Sequence, residues 1–199
     1  MNREILEVSI DKTIECSKEV AQWNYWDHEH LDIVHSSYSQ SDILYDKKNF
    51  LFRIDSIKIP FVPFIKFMTP IFMVQHDEDT TITYAIQFGV LSKTTITIKS
   101  LEKSKCKINM NYQFHLKGWK KILKPILKKL IPVWNERVWL EDYPVKIRRQ
   151  KVLDMNFKDF VGLPKDVKDR MSQEYKKEFK LPIPRPKNST RDRHPLKIK

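Results

Sequence analysis

Near residue 117 the hydrophobic pattern of the chain changes period, from two residues to about 3.6. Upstream, Cys106, Ile108, Met110, Tyr112 and Phe114 alternate with Lys107, Asn109, Asn111 and Gln113. That is the pattern of a strand with one buried and one wet face, which belongs in an antiparallel sheet. Downstream, Trp119, Ile122, Leu123, Ile126, Leu127 and Leu130 recur at helical spacing, with Lys117, Lys120, Lys121, Lys124 and Lys128 on the other face. A half-wet strand and an amphipathic helix must each cover an apolar face, so the C-terminal part of the core is a sheet and a helix packed on each other.

The rest of the chain is organised around this pair. Leu6, Val8, Ile10 and Ile14 alternate with Glu7, Ser9 and Asp11, which predicts a strand. Residues 18–35 are rich in helix formers and aromatics and are read as helical, at least in part. Residues 50–59 predict a second strand. Residues 57–74 are apolar but carry Lys58, Lys66, Pro60, Pro63 and Pro70. This interrupted stretch is read as the wall of a cavity or a lid, and it is unsuited to a spanning helix. Ile82, Tyr84, Ile86, Phe88 and Val90 predict a strand, and residues 94–99 another. Pro125 and Pro132 are expected to bend or break the lysine-rich helix, with a second helical segment over residues 132–153.

The order of strand, helix, several antiparallel strands and long C-terminal helix is an α+β layout. It resembles the helix-grip arrangement of START-like domains, a sheet wrapped around a long C-terminal helix that encloses an apolar ligand. Residues 1–160 are expected to form this domain. Residues 161–199 are read as a basic, Pro-rich tail. Its last part, residues 181–199, holds Pro182, Pro184, Pro186 and Pro195 among six Lys/Arg, with no aromatic residue. Phe50, Phe52, Phe61, Phe64, Phe67 and Phe72 are expected mostly in the core, some of them lining a cavity.

Several classes are excluded. The 199 residues suit one domain with a core. Gly89, Gly118 and Gly162 are the only glycines, so a Gly-rich phosphate loop cannot be built. The net charge of +12 is unevenly spread: residues 1–100 hold 10 Lys/Arg against 14 Asp/Glu, and residues 101–199 hold 27 against 11. Such a split points to one basic surface rather than to a nucleic-acid wrapper, and the tail lacks aromatics for base stacking. Cys16 and Cys106 have no paired spacing, which fits a reducing compartment. Arg3, Glu4 and Glu7 leave no apolar leader at the N-terminus. A cytoplasmic protein is expected. The lysine helix is expected to bury its stripe in the core, with contact to an anionic membrane surface as the alternative. The basic surface is read as a docking face for a membrane or an acidic redox partner.

Candidate chemistry concentrates in Trp23-Asn24-Tyr25-Trp26-Asp27-His28-Glu29-His30-Leu31-Asp32-Ile33-Val34-His35, which holds three of the six histidines. Two histidines and a carboxylate on one side of a metal, with open positions opposite, suit mononuclear non-haem Fe(II). On an ideal helix His28 and His35 lie about 10 Å apart along the axis, too far for one ion, and His30 and His35 diverge by about 140°. His30 and His35 therefore converge only if the helix is locally distorted, for example by a π-bulge. His76 and His115 are read as structural or lining residues, and His194 is given no role.

The pattern Asn24-x2-Asp27-x2-His30-x4-His35 is similar to the metal-binding motif in the catalytic domain of Rieske non-haem iron oxygenases, whose catalytic domain is a helix-grip fold. The resemblance covers roughly residues 5–160. It implies that His30 and His35 ligate a mononuclear iron, that Asp27 bridges toward the Rieske cluster of a neighbouring subunit or orients His30, and that Asn24 lies near the iron. The family's third ligand is an Asp in the C-terminal helical region, often in a Glu-Asp pair. Trp139-Leu140-Glu141-Asp142-Tyr143-Pro144-Val145 stands in that place, which makes Asp142 the third ligand and Glu141 the fallback. An acidic pair beside Arg137, Arg148 and Arg149 is otherwise most often an ion-pair network.

The chain departs from that family in one respect. The family's [2Fe–2S] cluster needs C-x-H and C-x2-H pairs, and neither Cys16 nor Cys106 is followed by such a histidine. The expected function is thus a mononuclear non-haem iron oxygenase-type domain, an oxidoreductase acting on a largely apolar substrate. Its electrons would come from a separate Rieske or ferredoxin-type partner, in a homo- or hetero-oligomer. The competing readings are a metal-free carrier of a hydrophobic molecule, and a cyclase or dehydratase using the same cavity without iron.

Overall fold

The computed structural model describes residues 3–28, 30–47, 49–59, 62–87 and 89–155. Seven strands form one antiparallel sheet: β1 (Arg3–Ile14), β2 (Tyr38–Lys47), β3 (Phe50–Ile59), β4 (Val62–Gln75), β5 (Thr80–Gln87), β6 (Val90–Glu102) and β7 (Lys105–Lys117). Their spatial order is β1-β7-β6-β5-β4-β3-β2. Between β1 and β2 the chain forms α1 (Lys18–Trp26) and the one-turn α2 (Leu31–Val34). After β7 come a 3-10 segment, Gly118–Leu123, and α3 (Lys124–Asp154). This is the α+β helix-grip architecture.

The alternation read from the sequence sets the inner face. Cys106, Ile108, Met110, Tyr112, Phe114 and Leu116 of β7 are buried, and their partners across the β1 register include Leu6 and Ile14, also buried. With Ile96, Ile98 and Trp139 these residues form the main apolar cluster, on which Leu123, Leu127, Ile131 and Trp134 pack. A second, smaller cluster joins Leu51, Ile71, Met73 and Ala85 at the other side of the sheet. The buried face also carries a polar seam that includes Arg53, Asp55 and Thr69 of β3 and β4 and Thr81 of β5.

The structure corrects several expectations. Residues 57–74 are not a lid: Phe50–Ile59 and Val62–Gln75 are paired strands, with Ile54 opposite Pro70. Pairing of β4 with β5 starts only at Ile71 opposite Ala85, so Pro70 sits where the ladder has already ended on one side, a place that tolerates a missing N–H. The alternation from Ile82 to Val90 is two strands, because the chain turns at Gly89, whose φ is +67°. Strand β2 escaped prediction because it is an edge strand with mostly exposed side chains and no clean alternation. Phe52 and Phe72 do not line the cavity: they stack on each other with centroids 4.5 Å apart. Their strand neighbours Leu51, Arg53, Ile71 and Met73 point to the buried face, so the two rings stand on the other one, beside Tyr45 and Phe50. Phe61 and the segment read as a tail lie outside the described residues.

Helix α3 is unbroken over 31 residues. Pro125 falls in the first turn, where no intrahelical N–H is needed. Pro132 and Pro144 lie inside, and each frees the carbonyl four residues earlier. Those carbonyls belong to Lys128 and Leu140, both exposed, so water can take the bonds. The apolar stripe divides in two: Leu123, Leu127 and Ile131 pack on the core, while Trp119, Ile122 and Ile126 are 76%, 70% and 52% exposed.

The turn from β7 into the 3-10 segment depends on Gly118, whose φ is +61° with no atom within 4 Å of an added Cβ. Backbone strain is therefore the only cost of a side chain there. Gly118→Val is expected to lower unfolding stability by about 1–2 kcal/mol, measured by urea denaturation, and Gly118→Asn to cost less, since Asn tolerates this conformation.

Candidate functional site

The site is built from the crossing between β1 and β2 and from α3. Helix α1 starts at Ser17, whose Oγ accepts from Val20 N at 3.3 Å and whose N–H donates to Gln150 Oε1 at 2.8 Å. Nine residues are too few to hold a helix by themselves, so these ties to α3 matter. The helix stops at Trp26 with no Gly or Pro to stop it. Trp26 Nε1 donates to Gln75 Oε1 at 2.8 Å, and His28 Nδ1 bonds Arg53 Nη1. These bonds to β4 and β3 draw the chain off its helical path.

The helix then restarts for one turn. His30 is the N-cap of α2 and His35 its C-cap, with φ −91° and ψ 118°. The local distortion is this break and restart rather than a π-bulge, and it brings the two rings to a centroid separation of 5.2 Å. From α3 the 5% exposed Asp142 meets both: Oδ1 is 3.2 Å from His30 Nε2 and 3.1 Å from His35 Nε2. One ligating atom from each of the three residues lies within 4.8 Å of the others.

This geometry can be tested against a metal. Neighbouring donors each about 2.1 Å from one ion stand about 3 Å apart around a six-coordinate centre, close to the separations here. Asp142 Oδ1 is buried and makes no hydrogen bond of good geometry, although two imidazole nitrogens face it. An acceptor so placed is costly unless something else satisfies it. Two imidazoles and one carboxylate oxygen suit Fe(II), and also Zn or Mn.

Glu141, the fallback ligand, sits behind His35 instead. Its Oε2 is 2.9 Å from His35 Nδ1, and its Oε1 accepts from Ser36 N at 3.3 Å and from Ser36 Oγ. A carboxylate at Nδ1 fixes that N–H outward and leaves the Nε2 lone pair for the cluster. Burial pushes the His35 pKa down, but the nearby carboxylates of Asp142 and Glu141 outweigh it, and the net shift is upward. Burial alone would raise Asp142; the Lys146 ammonium, then His30 and His35, hold it well below the usual carboxylate range. Asp27 is the C-cap of α1, with Oδ2 3.9 Å from His30 Nδ1. That is ion-pair distance, too long for a hydrogen bond.

The sequence reading missed Lys146. It is fully buried, with Nζ 2.9 Å from Asp142 Oδ2. It also lies 4.9 Å from the centroid of the Tyr25 ring and 5.3 Å from that of Trp139, so its charge is held by one carboxylate and two π faces. Lys146 occupies Oδ2 and thereby presents Oδ1 to the histidines. Only the i,i+4 spacing of Asp142 and Lys146 hinted at this.

The cluster opens on a cavity of about 160 Å³ whose lining includes Leu31, Met73, Ile96, Met110, Trp134 and Val138. Polar groups interrupt the apolar wall. Asn24, 1% exposed, has both amide atoms without a hydrogen-bond partner, and Asn135 donates to Tyr112 Oη at 2.7 Å but leaves its Oδ1 unpaired. Burial raises the Tyr112 hydroxyl pKa to about 12, against the hydrogen bond from Asn135, which lowers it. Arg53 pairs with Asp55 at 3.0 Å and holds His28, so His28 serves the seam rather than the cluster. His76 and His115 do not join the cluster.

No protein-family model matches the chain, and no curated protein matches it in sequence. Solved structures do resemble it. The Zhui aromatase/cyclase from Streptomyces sp. R1128 aligns with TM-score 0.58 at 8% identity over 75% of this chain and 95% of that one. Norcoclaurine synthase from Thalictrum flavum aligns with TM-score 0.57 at 13% identity, over 75% and 98%. A START superfamily protein from Mycobacterium smegmatis aligns with TM-score 0.54 at 14% identity, over 74% and 99%. These likenesses show the fold: the chain has the START-like helix-grip architecture.

Removing one partner of a buried pair leaves the other charge uncompensated. Lys146→Met is expected to destabilise the metal-free protein by about 3–5 kcal/mol. Combining it with Asp142→Leu is expected to restore much of that loss, with denaturant midpoints as the readout.

Proposed function

We propose that this protein is a mononuclear metal enzyme of the non-haem iron oxygenase type, with Fe(II) held by His30, His35 and Asp142 at the wall of an apolar cavity. The observation that carries the reading is the convergence of His30 Nε2, His35 Nε2 and the unsatisfied Asp142 Oδ1. The likeness of the Asn24-to-His35 pattern to Rieske oxygenase catalytic domains supports it, as does Asp142 standing in α3 where that family's third ligand is expected.

Bound Fe(II) would supply dioxygen activation next to the substrate. The chain's own residues do the remaining work. Glu141 holds the proton on His35 Nδ1 and keeps the ring oriented. Lys146 restrains Asp142 to one ligating oxygen and balances its charge. Met73, Ile96, Met110 and Trp134 keep water from the apolar part of the ligand. A cavity of about 160 Å³ is close to the size that accepts one benzene-like ring, so a substrate of about one ring is expected to seat there. Asn24 and Asn135 offer that substrate hydrogen bonds that they do not make within the protein. Because Cys16 and Cys106 are both buried and lack paired histidines, electrons would come from a separate Rieske or ferredoxin-type chain, with Asp27 between that chain and His30.

A second reading, a metal-free carrier of a hydrophobic molecule, is favoured by a different observation: Lys146 already neutralises Asp142, so the site is charge-balanced without an ion. The fold likenesses, to an aromatase/cyclase, norcoclaurine synthase and a START superfamily protein, suit it better than the oxygenase reading.

Metal content separates the two readings. Protein purified anaerobically is expected to take up one Fe(II) per chain, and His30→Ala, His35→Ala or Asp142→Ala to abolish uptake. Wild-type protein that binds no iron would leave the carrier reading. Glu141→Ala is expected to weaken Fe(II) binding by about 10–100-fold, read by competition with a chelator, without abolishing it.

A further inference from the structure

The start of the C-terminal helical region presents an apolar surface that the core does not use. In the 3-10 segment residues three apart eclipse each other, which places Trp119 and Ile122 on one side. In α3, Ile126, Leu130 and Val133 follow at spacings of four and three and continue that side. Their exposures are 76%, 70%, 52%, 39% and 68%. The core-facing side belongs to Leu123, Leu127, Ile131 and Trp134, so the segment carries two apolar faces where a soluble helix needs one.

The charge around this face is of one sign. Residues 117–135 contain Lys117, Lys120, Lys121, Lys124, Lys128 and Lys129 and no Asp or Glu. Lys124 is paired with Glu4, and Lys120 donates to Gly89 O at 2.6 Å. Lys117, Lys128 and Lys129 make no ion pair among the described residues. The bond from Lys120 ties the segment to the β5–β6 turn. Flanking that turn, Ile86 pairs with Leu91, and these two are 48% and 40% exposed. One end of the molecule thus combines an exposed Trp, exposed branched aliphatics and uncompensated lysines.

We propose that this face docks the protein on an anionic lipid surface, with Trp119, Ile122, Ile126 and Val133 entering the interface and the lysines meeting headgroups. Charge complementarity selects this occupant. An apolar face alone would suit a second copy of the chain, but two copies would bring six lysines against six with no acidic residue in the segment to offset them. An anionic bilayer accepts both the apolar face and the lysines. This proposal is independent of the metal reading.

The test uses the full chain with sedimented vesicles of phosphatidylcholine, with and without 30 mol% phosphatidylglycerol. Binding is expected only with the anionic lipid and is expected to weaken in 0.5 M NaCl, as screening requires. Ile122→Glu/Ile126→Glu replaces exposed residues, so the fold should persist, as checked by thermal melting. It is expected to cut partitioning at least about tenfold, since two carboxylates then stand where apolar side chains entered the interface. Three results would overturn the proposal. Wild-type protein could fail to bind anionic vesicles. The double variant could bind as well as wild type, which would assign the attraction to the basic segment 181–199. Or wild-type protein could self-associate in light scattering, lose that in the double variant and ignore vesicles, which would make a second copy the occupant.

Discussion

The pairing of the first strand with the last governs the rest of this molecule. β1 and β7 share a twelve-rung register from Arg3 opposite Lys117 to Ile14 opposite Cys106. With β2 to β7 laid down in sequence, that pairing puts β1 at one edge of the sheet and β2 at the other. The residues between them must then cross the sheet's inner face. α1 and α2 are that crossing, and His28, His30 and His35 are carried over the cavity because of it. The chain leaves β7 beside β1 and has one inner face left to cover, so α3 runs over the crossing and delivers Asp142 and Lys146 onto the histidines.

An apolar cavity with charged groups in its wall is stable only when those charges are matched locally. Here each is. Arg53 is matched by Asp55, which also accepts from Ser41 Oγ at 2.7 Å, and Asp142 is matched by Lys146. The matching also shapes the site. Lys146 takes one oxygen of Asp142, Glu141 takes one nitrogen of His35, and what remains of each group faces the same point. A carboxylate left wholly free, or an imidazole free to flip, would not hold its donor atom in that direction.

Much of the fold was legible because alternation survives wherever one face of a strand is buried. β1, β3, β6 and β7 fall where Leu6 to Ile14, residues 50–59, residues 94–99 and Cys106 to Phe114 indicate. Legibility failed where that contrast is missing. β2 is an edge strand with few buried side chains. The proline-bearing β4 looks irregular in sequence, yet Pro70 lies beyond the point where β5 stops pairing. The lysine helix reads as a simple amphipath, although half of its apolar positions are exposed. At the site, the spacing of Asn24, Asp27, His30 and His35 and the Glu141-Asp142 pair picked out the residues that the fold brings together. The buried Lys146, Arg53 and Asn135 escaped notice, because a lone Lys, Arg or Asn in sequence carries no sign of being buried.

By itself, the amino-acid sequence determined which residues prefer strand or helix and which side of each must be covered, since both follow from local periodicity. It also excluded a Gly-rich phosphate loop and a cluster bound through C-x-H pairs, since those depend on residues the chain lacks. Only the tertiary structure decided how His30 and His35 converge. Their convergence needs a helix that ends at Trp26 and restarts at Leu31, and long-range bonds from Trp26 to Gln75 and from His28 to Arg53 accompany that break. The tertiary structure also divided the apolar positions of the last helix between core and solvent, because the sheet's inner face has room for only one side of it.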